Sequence, residues 1–78
     1  MNDVFYTLAL TASEIRTVGK AMGFIPKDPR YTEYMAVLIV NNLTYDHEYD
    51  LARKILFQLT LQGIDTKKYW MRAFGDTD

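Results

Sequence analysis

The chain has 78 residues, no cysteine, one histidine and a formal net charge of −1. This composition excludes disulfides, thiolate zinc sites and cysteine nucleophiles, and the charge gives no general attraction to nucleic acid or anionic membranes. A chain this short forms one domain, residues 1–78, that buries a modest share of its surface, so 49% hydrophobic and 14% aromatic residues point to a homo-oligomer.

Charge is unevenly placed. Arg16, Lys20, Lys27 and Arg30 balance Asp3, Glu14, Asp28 and Glu33 in the first part of the chain, residues 45–66 are acidic, and Lys67, Lys68 and Arg72 form a basic patch before the acidic ending GDTD. The opening MNDVFYTLAL shows neither a basic leader nor a small-residue cleavage site, and the apolar run at 34–40 is too short to span a bilayer. A cytoplasmic protein with no cofactor and no membrane association is therefore expected.

The first element, VFYTLAL at 4–10, reads as a strand with Val4, Tyr6, Leu8 and Leu10 on one face and Phe5, Thr7 and Ala9 on the other. A helix over 12–22 follows. Thr11 and Glu14 make a capping box, Leu10 and Ile15 a hydrophobic staple, and Gly23 with Phe24 a C-terminal glycine stop. Ile15, Val18, Gly19 and Met22 face the core, and a glycine inside that stripe implies that another stretch of backbone comes close.

The linker IPKDPR also resembles a helix start, with Asp28 as N-cap and Pro29 in the first turn. The following RYTEYMAVLIVNNL is read as a helix apolar nearly all round; the alternative is an α+β fold in which 34–40 form a strand. Thr44 or Asp46 is expected to cap a third helix that Gly63 stops, with Tyr49, Leu51, Ala52, Ile55, Leu56 and Leu59 on its core face. A short helix, TKKYWMRAF, is capped by Asp65 or Thr66 and carries Trp70 and Phe74 on one side. The expected fold is mainly α: a short N-terminal strand, three to four helices and a helical-hairpin core.

Three groups of residues carry functional expectations. His47 lies among Asp46, Glu48 and Asp50, and the i,i+3 pair His47–Asp50 has the spacing to orient an imidazole or to supply two metal ligands; no further ligand or nucleophile is identifiable, so neither an enzyme nor a metal site is expected. Lys67, Lys68, Trp70 and Arg72 combine cations with an aromatic ring, the composition of a nucleic-acid-binding segment and equally of a docked amphipathic helix. Phe57 and Leu61 lie opposite the core face of the third helix and, with Met35, Leu38 and Ile39, are the expected oligomer interface.

The order strand VFYTLAL, capped helix TASEIRTVGKAMGF and second helix from Pro29 resembles the ribbon-helix-helix family of dimeric DNA-binding repressors. The resemblance implies a strand paired with that of a dimer mate, and Phe5, Thr7 and Ala9 facing the major groove. Polar or basic residues are usual at those positions, and here only Thr7 conforms. A looser similarity, in size and in the LTASEI helix start, is to small accessory proteins of phages and mobile elements, which commonly bind and block a host protein. On balance the sequence points to a non-enzymatic regulatory or inhibitory protein in the host cytoplasm, of the host-takeover or anti-defence kind. Its expected host-protein contact is Tyr45, Asp46, Glu48, Tyr49 and Asp50. A ribbon-helix-helix-like DNA-binding regulator is the alternative.

Overall fold

The computed structural model describes residues 4–75. The acidic ending at 76–78 lies outside the described residues. The fold is mainly helical: β1 (Tyr6–Thr7), α1 (Ala12–Met22), β2 (Arg30–Tyr31), α2 (Glu33–Tyr45), α3 (Tyr49–Leu61) and α4 (Lys67–Phe74). Residues 34–40 are helical, so the α+β alternative is not adopted.

The segment YMAVLIVNNL forms most of α2, and its lack of a polar face has a direct packing consequence. α2 touches α1, β2, α3 and α4, and its contact with α3 is the most extensive in the chain, giving the expected helical hairpin. Ala36, Ile39, Val40 and Leu43 of α2 are buried against a core that includes Val18 of α1 and Ile55, Leu56 and Leu59 of α3. Each such large aliphatic side chain contributes about 1.5–3 kcal/mol on burial, more than any single cap or surface ion pair supplies.

α1 forms as its sequence dictates. The Thr11 hydroxyl accepts from the Glu14 N–H at 3.1 Å while the Glu14 carboxylate accepts from the Thr11 N–H at 2.8 Å. Glu14 Oε1 also accepts from Lys54 Nζ at 2.7 Å, which ties the start of α1 to α3 and holds the Glu14 carboxyl below its ordinary range. At the other end Gly23 adopts φ 87° and donates to the Gly19 carbonyl. The close approach implied by Gly19 is present: a Cβ there would lie 2.7 Å from Ile25 Cγ1 and 3.3 Å from Ile25 Cα. The backbone of Phe24 and Ile25 passes over Gly19, with Ile25 making the nearest approach, while both side chains stay largely exposed.

Three expected boundaries are corrected. Asp28 does not cap a helix, because its carboxylate accepts from the Arg30 N–H two residues on, at 2.9 Å, and pairs with the Arg30 guanidinium. Arg30 and Tyr31 instead form β2, antiparallel to β1 with Tyr6 opposite Tyr31 and Thr7 opposite Arg30. Extended pairing wins here because it buries the Tyr31 ring and lets the Pro29 carbonyl accept from the Leu8 N–H. α2 then starts at Thr32, whose hydroxyl accepts from the Met35 N–H. Neither Thr44 nor Asp46 caps α3, since α2 runs on through Tyr45 and the Thr44 hydroxyl donates to the Asn41 carbonyl within it. At α4, Asp65 accepts from the Lys67 N–H, while the Thr66 hydroxyl bonds that of Thr60 instead of capping.

The N-terminal strand is bonded on both edges. Tyr6 and Leu8 face β2 through their main-chain groups, and the opposite edge is held by side chains of α3. Gln62 donates to the Thr7 carbonyl at 2.8 Å and accepts from its N–H at 3.0 Å; Gln58 does the same for Ala9, at 3.1 and 2.7 Å. The match is geometric: four helical residues advance about 6 Å, and two strand residues about 6.6 Å. Each carboxamide imitates one peptide group of a partner strand. The strand alternates as expected, with Leu8 buried and Thr7 and Ala9 exposed, except that Val4 is exposed as well.

Two stability outcomes follow from these contacts. Removing both carboxamides, Gln58→Ala with Gln62→Ala, is expected to cost about 1–3 kcal/mol and to lower Tm by several degrees in thermal denaturation; an unchanged Tm would show that water replaces the carboxamides at no cost. Gly19→Val is expected to destabilise by about 1–3 kcal/mol in urea titration, because its branched Cβ meets Ile25.

Candidate functional site

The turn between α2 and α3 brings most of the expected contact residues to the surface. α2 ends with Glu48 N–H donating to the Leu43 carbonyl and His47 N–H to the Thr44 carbonyl, the paired bonds of a Schellman stop. α3 ends with the same two bonds at Gly63 and Ile64. The left-handed position is glycine in the second case, Gly63 at φ 101°, but histidine in the first, His47 at φ 64°. A side chain there carries a strain that glycine avoids.

His47 and Asp50 do not pair. His47 Nδ1 is 2.8 Å from Tyr49 Oη, and the Asp50 carboxylate binds the Arg53 guanidinium at 2.8 Å. Among the described residues no group of three or more His, Cys, Asp or Glu side chains is arranged to hold a metal. The imidazole serves instead as one end of a row of rings. His47 meets Tyr49 edge-on at a centroid distance of 5.6 Å, Tyr49 lies 5.9 Å from Phe74, and Phe74 lies 5.5 Å from Trp70. Arg53 sets its guanidinium 5.0 Å above the Phe74 ring.

This row runs from the turn onto the α3/α4 face, where Phe57, Ile64, Trp70, Met71 and Phe74 line a groove of about 650 Å³. Phe57 and Leu61 remain 59% and 70% exposed, so α4, which shares the groove with Phe57, leaves both uncovered. Groups that the sequence presents separately therefore meet: Tyr49 and Asp50 from the acidic segment, Phe57 from the apolar pair, and Lys67 and Trp70 from the basic-aromatic segment.

Other expected groupings are divided. Tyr45, Asp46 and Glu48 share a hollow with His47 and with Thr17 and Lys20 of α1, joined to Tyr49 through the His47 contact. Lys68 and Arg72 point to the opposite side of α4 from Lys67 and Trp70, into a groove against α2. Of the expected oligomer residues, Ile39 is 1% exposed and enclosed by its own chain, which removes it from any partner surface; Met35 packs beside the core and Leu38 lines the α2/α4 groove. Phe5, the first of the expected groove-facing positions, is exposed beneath the Arg30 guanidinium, while Thr7 and Ala9 have main-chain groups occupied by Gln62 and Gln58. The aromatic row and the glutamine contacts carried no signal in the local spacing, because each joins residues from different elements.

Replacing His47 by glycine removes the strain of its left-handed backbone and the Tyr49 contact together. His47→Gly is expected to raise stability by about 0.5–1 kcal/mol in urea titration; a loss of stability would show that the Tyr49 contact outweighs the backbone strain.

Among the described residues, no helix is long and apolar enough to cross a membrane. Comparison with known proteins finds no matching family model, no similar curated protein and no similar solved structure.

Proposed function

We propose that this chain is a non-enzymatic regulatory or inhibitory protein that binds a protein partner through its α3/α4 face and the adjoining turn, and occludes that partner's working surface. One observation carries the reading: a groove where the exposed Phe57 and Met71 join the half-buried Trp70 and Phe74, with exposed Leu61 one turn beyond Phe57 on α3 and with Asp50, Arg53 and Lys67 as nearby charges. Aromatic rings, methionine and arginine are the residue types concentrated at protein interfaces, and an apolar centre with a charged rim is the usual arrangement there. Tyr49, from the expected contact residues, sits at the edge of this face; Tyr45, Asp46 and Glu48 extend it around the turn. In keeping with the similarity of the LTASEI start to phage and mobile-element accessory proteins, the proposed partner is a host protein and the proposed setting the host cytoplasm.

Phe57 and Leu61 point away from the core, so charge can be introduced there with the fold retained. The wild-type chain, tagged and exposed to a bacterial lysate, is expected to capture one protein at fixed stoichiometry. The double variant Phe57→Asp with Leu61→Asp is expected to lose it by a factor of ten or more, in keeping with about 2 kcal/mol for a central interface residue. Light scattering on the purified chain separates self-association through the same face from capture of another protein. A monomer with no stoichiometric partner, or capture indifferent to the two aspartates, overturns the reading.

A further inference from the structure

The largely apolar helix α2 is not covered equally on every side. Tyr34, Val37, Leu38 and Asn41 follow one another at i, i+3, i+4 and i+7, so they make one stripe along the helix. Across from this stripe, α4 presents Lys68 and Arg72 at i and i+4, and the two sets line a groove of about 430 Å³. Val37 and Leu38 are half-buried, whereas Tyr34 is 77% exposed. Tyr69 donates a hydrogen bond to the Glu33 carboxylate and so bridges α4 to α2 beside the groove.

The charges here are unequally engaged. The groove's single carboxylate, Glu33, already accepts from Tyr69. Neither Lys68 nor Arg72 makes an ion pair among the described residues, and Lys68 Nζ rests 5.2 Å from the centre of the Tyr69 ring. The result is an α2 stripe with Val37 and Leu38 between Tyr34 and Asn41, and two cations without ion pairs among the described residues across from it on α4.

We propose that the α2/α4 groove receives an acidic amphipathic helix of a protein partner. A helix laid in a groove between two helices presents apolar residues at i, i+3 or i+4, and i+7, the spacing that the Tyr34–Asn41 stripe itself offers. Its apolar side chains rest on Val37 and Leu38. Carboxylates one turn apart along its flank meet Lys68 and Arg72, which share that same one-turn spacing, and Tyr34 supplies a broad contact at low entropic cost. Nucleic acid is the poorer occupant: two cations neutralise about two phosphates, which gives a weak electrostatic term, and a chain of net charge −1 adds no wider field to it. This groove lies on the other side of α4 from the aromatic face, and the inference does not rest on the function proposed for that face.

The test uses the full chain and a fluorescein-labelled synthetic helix of about four turns, with leucines on one stripe and glutamates along one flank. A matched peptide carries lysines in place of the glutamates, and single-stranded oligothymidylate serves as the nucleic-acid probe. Fluorescence anisotropy at low salt is expected to show saturable binding of the glutamate peptide. Lys68→Glu with Arg72→Glu is expected to weaken that binding roughly tenfold or more and to improve binding of the lysine peptide. Phe57→Asp should leave both values unchanged. Circular dichroism checks the fold; if charge reversal unfolds the chain, Lys68→Gln with Arg72→Gln carries the same comparison for the glutamate peptide. Absence of saturable binding, equal binding by wild type and charge variant, loss through Phe57→Asp, or tighter binding of oligothymidylate would each overturn the proposal.

Discussion

Burial of α2 is the constraint on which the rest of the structure depends. A helix with Ala36, Ile39, Val40 and Leu43 on its inner faces and no charged residue between Glu33 and Asp46 cannot lie on a surface with one side in water. It has to be covered on more than one side. Among the described residues α1, β2, α3 and α4 all contact it. The order of elements follows: two helices flank the hairpin axis, the strand pair closes one side, and α4 covers another incompletely. What remains uncovered on α2 is the Tyr34–Asn41 stripe, and what α4 fails to cover on α3 is Phe57 and Leu61. Both surfaces of functional interest are thus remainders of the same packing problem.

Polar contacts determine how the covering elements are placed. Glu14 belongs both to the capping box of α1 and to the ion pair with Lys54, so the local signal that starts a helix also orients that helix against α3. Gln58 and Gln62 make α3 act as a further strand beside β1, which fixes the N-terminal segment at an edge where, among the described residues, no third strand pairs. Because these carboxamides serve both the N–H and the carbonyl of Thr7 and Ala9, that edge is not presented bare to another chain. A dimer mate pairing there, as in the ribbon-helix-helix arrangement, has to displace four hydrogen bonds from α3.

The aromatic row owes its form to the two helix ends that meet at α4. The Schellman stop after α2 turns the chain within three residues, which brings Tyr49 to the start of α3 on the side where α4 returns. Phe74 and Trp70, one turn apart on α4, then continue the line, and Arg53 closes over Phe74 from α3. His47 occupies the strained position at the apex where glycine is the less costly residue. Its ring is thereby directed at Tyr49, and the turn is joined to the aromatic row by a hydrogen bond and an edge contact.

Local chemistry in the sequence determined the helices themselves, the bounds of α1 through Thr11, Glu14 and Gly23, the stop of α3 at Gly63, the close approach at Gly19 and the core face of α3 from Leu51 to Leu59, though not Tyr49, expected on that face but exposed. Those signals act within a few residues, through capping bonds, helical periodicity and the steric demand of a missing Cβ, and so they are legible in order along the chain. Only the tertiary structure decided that Arg30 and Tyr31 are extended, since that depends on Tyr6 being opposite Tyr31, and that Thr44 lies inside α2. It also decided that Ile39 is enclosed, that Lys67 and Lys68 face different grooves, and that Tyr49, Phe57 and Trp70 share one surface. Each of these depends on which element lies beside which. That is settled by how the other elements pack around α2, an interaction between segments distant in sequence that no spacing within one segment encodes.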